Sequence, residues 1–403
     1  MRAREAAVKI LQNIEKDNEF ASLALKKYLP LYLSDAKEKS LATELVYGVL
    51  RYKKRLDFVR DCYLKIKSSK LEDDIIWIIR ISIYQILFCD KIPDSAACNE
   101  AVKLTRKFKK YGASAFVNGI LRTISKNKED ISYPDEDVKK LGVTTSFPMR
   151  ILDIWISDYG FQKAKEIAEQ SNIPKPISYR INKLKAPSDF EIPENVGAPE
   201  NEQIFRDGFV TVQDKGSQIV VETLSPKKDS LVLDLCAAPG GKTCYISEFM
   251  ENTGKIIACD VYEHRLALIE NTALRLGAKN IEATQNDGSV FKEEWANKFD
   301  FVLADVPCSG LGVISGKPDI KWRKQNLEDL CKLQLEILIN AMQYVKVDGT
   351  LIYSTCTVHK AENQDIVSKA LEKFNNFEIE EQKQLFPCSS NDGFFICKLK
   401  RCK

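Results

Sequence analysis

Histidine is almost missing from this chain, with two residues, His264 and His359, in 403. The twelve cysteines never stand as Cys-x-x-Cys. Zinc sites lean on both of those resources, so no metal is expected. Spread over so long a chain, the cysteines read as reduced thiols rather than a disulfide framework. Most should be small buried hydrophobes. Long apolar runs are absent too. The richest, Ile75 to Cys89, is broken by Arg80 and is too short to cross a bilayer. No apolar leader follows Met1-Arg2-Ala3-Arg4-Glu5, which enters an amphipathic pattern at once. A soluble cytoplasmic protein with no membrane partner is expected. Gly-x-Gly-x-x-Gly does not occur, which removes a dinucleotide loop.

What is present is an ordinary globular composition, 44% hydrophobic and 29% charged, long enough for two or three domains. The net charge of +3 is uneven: residues 1–130 hold 26 Lys+Arg against 17 Asp+Glu, and the remainder 34 against 40. A basic front section points to a polyanionic partner, with Lys-rich solvated helix faces as the plainer alternative.

Residues 1–130 read as all helix. Ala7, Ile10, Leu11 and Ile14 keep helical spacing, as do Ala42, Leu45, Val46 and Val49. Ile75–Phe88, apolar nearly all round, marks a central buried helix. The helix from Glu100 carries Lys103, Arg106, Lys107, Lys109 and Lys110. Over 131–210 prolines recur, and Ile177–Asn182 and Phe205–Gln213 have strand character on either side of a polar, turn-rich stretch. This reads as a linker and a small α/β subdomain. Over 211–403 strand and helix alternate, with strands at Leu231–Leu235, Lys255–Asp260, Ile281–Thr284, Phe301–Asp305 and Thr350–Thr355. Gly393–Leu399 reads as a final edge strand. The fold class is α/β, a Rossmann-like doubly wound parallel sheet, which binds ligands at the carboxyl ends of its strands.

The motifs fall at those ends. Asp234 to Thr243 is a glycine turn. Gly241-Lys242-Thr243 matches the end of a P-loop, but Cys236 stands where that loop needs its first glycine. S-adenosylmethionine suits the turn better, since its carboxylate needs backbone N–H groups at a turn and helix start. Asp260, ending the next strand, suits the two ribose hydroxyls. Asp287 suits the adenine amine, or else makes an Asx turn ahead of Gly288.

Two cysteines follow strand ends: Cys308 in Asp305-Val306-Pro307-Cys308-Ser309-Gly310 and Cys356 in Tyr353-Ser354-Thr355-Cys356-Thr357. Carbon 5 of cytosine is too weak a nucleophile to take a methyl group directly. A thiolate adding to carbon 6 turns the ring into an enamine that can. A free thiol is only a few per cent ionised at neutral pH, so full ionisation recovers at most about 2 kcal/mol and positioning must supply more. Asp305 suits the N3–N4 edge of the base. Either cysteine alone reads as a core residue, and chemistry alone leaves open which one attacks.

The quoted runs, with Val212 to Ser217 and Pro318-Asp319-Ile320-Lys321-Trp322, resemble the Sun/Fmu type of small-subunit rRNA cytosine-5 methyltransferase within the NOL/NOP/Sun RNA methyltransferase family. The resemblance implies a class I S-adenosylmethionine methyltransferase domain at 211–403 and an all-α NusB-like RNA-binding domain at 1–130, with the small α/β subdomain at 131–210 between them. It implies Cys356 as nucleophile, Cys308 in product release, and cofactor contacts at Cys236, Ala237, Ala238, Pro239, Gly240, Gly241, Lys242, Asp260, Asp287 and Asp305. The implied partner is small-subunit ribosomal RNA, with no obligate protein partner and a monomeric state. A tRNA enzyme and a NusB-like binding factor are the competing readings; a pure binder has no use for both cysteines. Two departures stand out. Ser315-Gly316 replaces a frequent arginine pair, and Lys360-Ala361 replaces Pro-Glu ahead of the retained Glu362-Asn363. Both bear on RNA contacts rather than on the core chemistry.

Overall fold

Apolar residues at helical spacing pull the front of the chain into layers of helix. The computed structural model describes residues 1–193, 196–197, 199 and 202–403. Its internal contacts define one unit of Met1–Asn172 with Ile314–Lys324, and another of Ile173–Val313 with Gln325–Lys403.

The first unit holds α1 (Ala3–Asp17), α2 (Ala21–Tyr32), α3 (Ala36–Tyr63), α4 (Asp73–Phe88), α5 (Asp94–Lys107), α6 (Ser114–Lys126), α7 (Asp137–Thr144) and α8 (Met149–Gln170). Asp35 starts α3 by accepting a hydrogen bond from the Glu38 N–H at 2.9 Å, an N-cap worth about 1 kcal/mol. The apolar α4 lies in the core, with Ile78, Ile79, Ile81 and Ile83 at 0% exposure. Arg80, the one charge between Ile75 and Phe88, donates twice to Asp57 at 2.8 Å, so its burial is compensated.

The stretch 131–210 is divided between the units. Its first part forms α7 and α8, which the sequence reading did not anticipate. Pro148 caps α8 and no proline lies within it, so the prolines bracket the helix rather than break it. Its second part gives an antiparallel ribbon of β1 (Tyr179–Ile181) and β2 (Val210–Val212), with the short α9 (Gln203–Arg206) between them. Part of the expected turn-rich stretch, 194–195, 198 and 200–201, lies outside the described residues.

A late segment completes the helical unit. Residues 314–324 leave the sheet unit's chain and pack among α1, α3 and the α7–α8 region. Lys321 donates to the carbonyls of Arg51 at 3.0 Å and Thr145 at 3.2 Å, and to the Asn172 side-chain oxygen at 2.6 Å. The Trp322 indole donates to the Leu50 carbonyl at 2.6 Å. Arg51 donates to the carbonyl of Ser315, which is buried, whereas Gly316 is exposed.

The second unit continues with α10 (Lys215–Leu224), β3 (Leu231–Asp234), α11 (Gly241–Phe249), β4 (Lys255–Asp260), α12 (Glu263–Leu276), β5 (Ile281–Gln285), β6 (Phe299–Asp305), α13 (Leu327–Tyr344), β7 (Val345–Thr355), α14 (Gln364–Leu371), β8 (Phe377–Leu385) and β9 (Phe394–Arg401). The strand order is β5-β4-β3-β6-β7-β9-β8, with β3 to β7 parallel. Period-two alternation divides the strand residues between two faces. Leu233, Val302 and Leu351 pack with Ile337 and Ile366 on one side. Val232, Leu303 and Ile352 pack with Val221 and Ile246 on the other. Helices on both faces make the sheet doubly wound. Strand order reverses at β3, so a crevice opens beyond its carboxyl end.

One expectation is corrected here. The strand at Gly393–Leu399 is not the edge: β9 pairs antiparallel with both β7 and β8. The edge on that side is β8, whose sequence Phe-Glu-Ile-Glu-Glu-Gln-Lys-Gln-Leu is largely exposed and carries four charges. Such an edge carries little alternation, and its charges discourage pairing with another chain. Among the described residues, no helix is long and apolar enough to cross a membrane.

Candidate active site

Strand β3 delivers Asp234 to the crevice, and the glycine turn folds back before α11 begins. The turn is held by Ala237 N–H donating to the Cys259 carbonyl and Gly240 N–H donating to the Ala237 carbonyl, each at 2.7 Å. Gly240 has φ +98°, a conformation that favours glycine, and a Cβ there would stand a tight 3.1 Å from the Ile269 backbone. A Cβ on Gly241 would meet nothing within 4 Å, so no packing contact requires glycine at that position. Asp234 is almost wholly buried. One carboxylate oxygen accepts from Thr243 at 2.7 Å and the other has no partner. Burial first, with Asp305 adding to it, pushes its pKa up to about 7 against the opposing Thr243 bond.

Beyond the strand ends lies an open cavity of about 410 Å³, within the range of small-molecule sites. It brings together Cys236, Ala238, Asp260, Asp287, Asp305, Cys308 and Cys356 from the residues expected by sequence. Ala237, Pro239, Gly240 and Gly241 form the turn and helix start and do not line it. Lys242 acts on the cavity through its ammonium, 2.6 Å from Asp305.

Each acid is already engaged. Asp260 accepts from the Tyr262 N–H at 3.1 Å and pairs with Arg265 at 3.1 Å. Asp287 accepts from the Ser289 N–H and hydroxyl at 2.9 and 2.7 Å, which is the Asx turn, while its carboxylate still lines the cavity. Asp305 accepts from Lys242 through one oxygen and from Ser354 at 2.7 Å through the other. Burial alone would depress the Lys242 ammonium. Asp305, aided by Cys356 and Asp234, carries it above the usual lysine value. Sequence reading missed Arg265 and Asn286, both in the wall. Arg265 sits five residues beyond Asp260 with no motif to mark it. Asn286 holds a buried amide nitrogen with no partner, a feature only packing can reveal.

The two cysteines meet. Their sulfurs are 3.0 Å apart, and the Cys356 N–H donates to the Cys308 sulfur at 3.2 Å. The Cys308 thiol is held well above its ordinary range, first by its bond to Cys356, then by burial and by Glu362. Burial, with Asp234, Asp305 and Asp260 adding to it, likewise pushes the Cys236 thiol well up.

A family model described as 16S rRNA methyltransferase RsmB/F matches residues 221–400, and a NusB family model matches 1–126. The chain is 33% identical to a Bacillus subtilis (strain 168) protein named "Probable ribosomal RNA small subunit methyltransferase B", over 99% of this chain and 98% of that one. This chain belongs to the ribosomal RNA small subunit methyltransferase B family. It is also 31% identical to the Escherichia coli O127:H6 protein named "Ribosomal RNA small subunit methyltransferase B", over 90% of each. The solved structure of PH0851 shares the fold over 99% of this chain and 98% of that one, with a TM-score of 0.80 at 22% identity. The methyltransferase match falls mainly on the sheet unit, and the NusB match falls within the helical unit.

Proposed function

We propose that this protein methylates carbon 5 of a cytidine in small-subunit ribosomal RNA, using S-adenosylmethionine and a covalent link through Cys356. The observation that carries the reading is the thiol pair, 3.0 Å apart, beside the Lys242–Asp305 ion pair at the cofactor-type crevice. The cavity residues suit the cofactor. Its wall is rich in carboxylate, which favours a sulfonium cation and hydroxyl groups, and the turn leading into α11 beside it suits the cofactor's carboxylate. Asp260 would take the ribose, sharing its oxygens with Arg265, and Asp287 the adenine amine. When bound, S-adenosylmethionine supplies an electrophilic methyl group.

Everything else falls to the chain's own residues. Cys356, the cysteine of the Ser-Thr-Cys run that the family resemblance marks as nucleophile, adds its sulfur as thiolate to carbon 6 of the cytosine. Asp305 holds the N3–N4 edge, and Lys242 offers positive charge against the electron density that develops on the ring. Carbon 5 then has the electron pair needed to take the methyl. Cys308, or water beside it, removes the carbon 5 proton so that Cys356 leaves. A base inside a duplex cannot reach this site, so the target is single-stranded or flipped. The basic helical unit supplies phosphate contacts that position RNA without reading sequence.

The test combines purified protein, methyl-labelled S-adenosylmethionine and unmodified small-subunit rRNA, with Cys356→Ala alongside. The expected result is label in 5-methylcytidine at one site, absent in the variant. Label in another nucleoside would sink the carbon 5 assignment, and label accepted only by tRNA would sink the ribosomal one.

A further inference from the structure

Ser309 and Thr357, the residues that follow the two cysteines, converge on one carboxylate. Glu362 is 0% exposed. One of its oxygens accepts from the Ser309 N–H at 2.8 Å and from Gln334 at 3.0 Å. The other accepts from the Ser309 hydroxyl at 2.5 Å and the Thr357 hydroxyl at 3.2 Å. Those hydroxyls lie 2.9 Å apart. The same Gln334 amide donates to the Pro307 carbonyl at 2.9 Å, so it grips the residue before Cys308 as well. Next along the chain, Asn363 brackets Cys356, accepting from the Thr355 hydroxyl at 2.6 Å and donating to the Thr357 carbonyl at 3.2 Å. Asn363 thus holds the Cys356 turn, and Glu362 ties that turn to the Cys308 turn.

The ties are made by four neutral donors, and no cation is among them. A buried carboxylate without a cation is costly, and packing alone does not require one here. We propose that Glu362 is a positioning residue for the release half of the reaction, fixing the Cys308 turn against the Cys356 turn so that Cys308 reaches the carbon 5 proton. The proposal rests on the covalent-cysteine reading above.

In the adduct, carbon 6 carries the Cys356 sulfur, and carbon 5 carries both the new methyl and a proton. Cys308, its own proton lost to water, takes the carbon 5 proton. The carbon–hydrogen electrons form the 5,6 double bond, and the carbon–sulfur electrons return to Cys356 as thiolate. The geometry has chemical support. The strongest influence holding the proton on Cys308 is its bond to Cys356, which ceases to act as a thiolate acceptor once it becomes a thioether. The nearby charge of Glu362 remains and keeps the Cys308 sulfur basic.

The experiment is a single turnover on unmodified small-subunit rRNA with labelled S-adenosylmethionine, following denaturation-resistant protein–RNA adduct and free product separately. Glu362→Gln should slow release ~10-fold while changing adduct formation less than ~2-fold, so adduct accumulates. Ser309→Ala removes one hydroxyl tie and should act in the same direction by ~3-fold, which keeps the test decisive if Glu362→Gln folds poorly. In a Cys308→Ala background, adding Glu362→Gln should change adduct lifetime less than ~2-fold, because the two act through one atom. Equal slowing of formation and release, or effects that multiply in the double variant, would overturn the positioning role. Labelled product with no adduct in Cys308→Ala would overturn the covalent reading itself. Adduct in Cys308→Ala with normal release in Glu362→Gln would overturn this inference alone.

Discussion

Lys321 and Lys242 both enter the interior, one in each unit, and their fates are opposite. Lys321 has 0% exposure, three oxygen acceptors and the Phe147 ring 3.8 Å away. None of those acceptors is a carboxylate, and burial, with Arg51 nearby, drives its pKa well below the usual value. The Lys242 side chain is 16% exposed, and the Asp305 carboxylate beside it raises its pKa despite burial. Carbonyl dipoles are enough to hold a lysine in place, but a full opposite charge keeps it a cation. The helical unit uses lysine as a staple, and the sheet unit uses it as a charge.

That contrast fails first, if it fails, at Lys242. On the proposed mechanism, Lys242→Met should lower methyl transfer ~10³-fold with little change in melting, through lost charge stabilisation at the target base. Single-turnover rates, compared with those of Lys321→Met per folded molecule, decide it. An equal loss in both variants would erase the distinction. Asp305→Asn sharpens the same point by making Lys242 resemble Lys321, so the rate of Lys242 modification by an amine-reactive reagent should rise at neutral pH.

Lys321→Met should instead destabilise the helical unit by about 3 kcal/mol, leaving buried acceptors unpaired. The pH dependence has a definite sign. A depressed folded pKa means the unfolded chain binds more protons, so stability is greatest above the ordinary value of 10.5 and falls as pH drops toward the folded one. Chemical denaturation across that window should show the slope in the wild type and its loss in the variant.

Asp234 offers an effect of reversed sign. Its folded pKa is raised from 3.8 to about 7, so stability is full at low pH and is lost as pH rises through 7. Asp234→Asn should be more stable than wild type at pH 8, by up to about 4 kcal/mol, and equal to it below the ordinary value of 3.8. A wild-type curve flat over that range would show that Asp234 is ionised without strain.

Local patterns made much of this molecule legible. Helical spacing marked the bundle, the apolar strands with their turn residues marked the parallel sheet, and the motifs at strand ends placed Asp305, Cys308 and Cys356 in one cavity. Failures occurred where the local pattern was weak or misleading. Strand β8 is charged and exposed, and α7 and α8 sit between prolines that read as loop texture. Arg265 and Asn286 carried no signal at all.

By itself, the sequence determined the periods, the turns and the residue types that the chemistry needs, because those depend on neighbours a few positions away. Which groups pair was decided only in the folded chain. Lys242 finds Asp305 across 63 residues, Glu362 finds Ser309 across 53, and Lys321 finds Asn172 across 149. The physical reason is that burial and partner charge set what a lysine, a thiol or a carboxylate does, and both are properties of packing rather than of spacing.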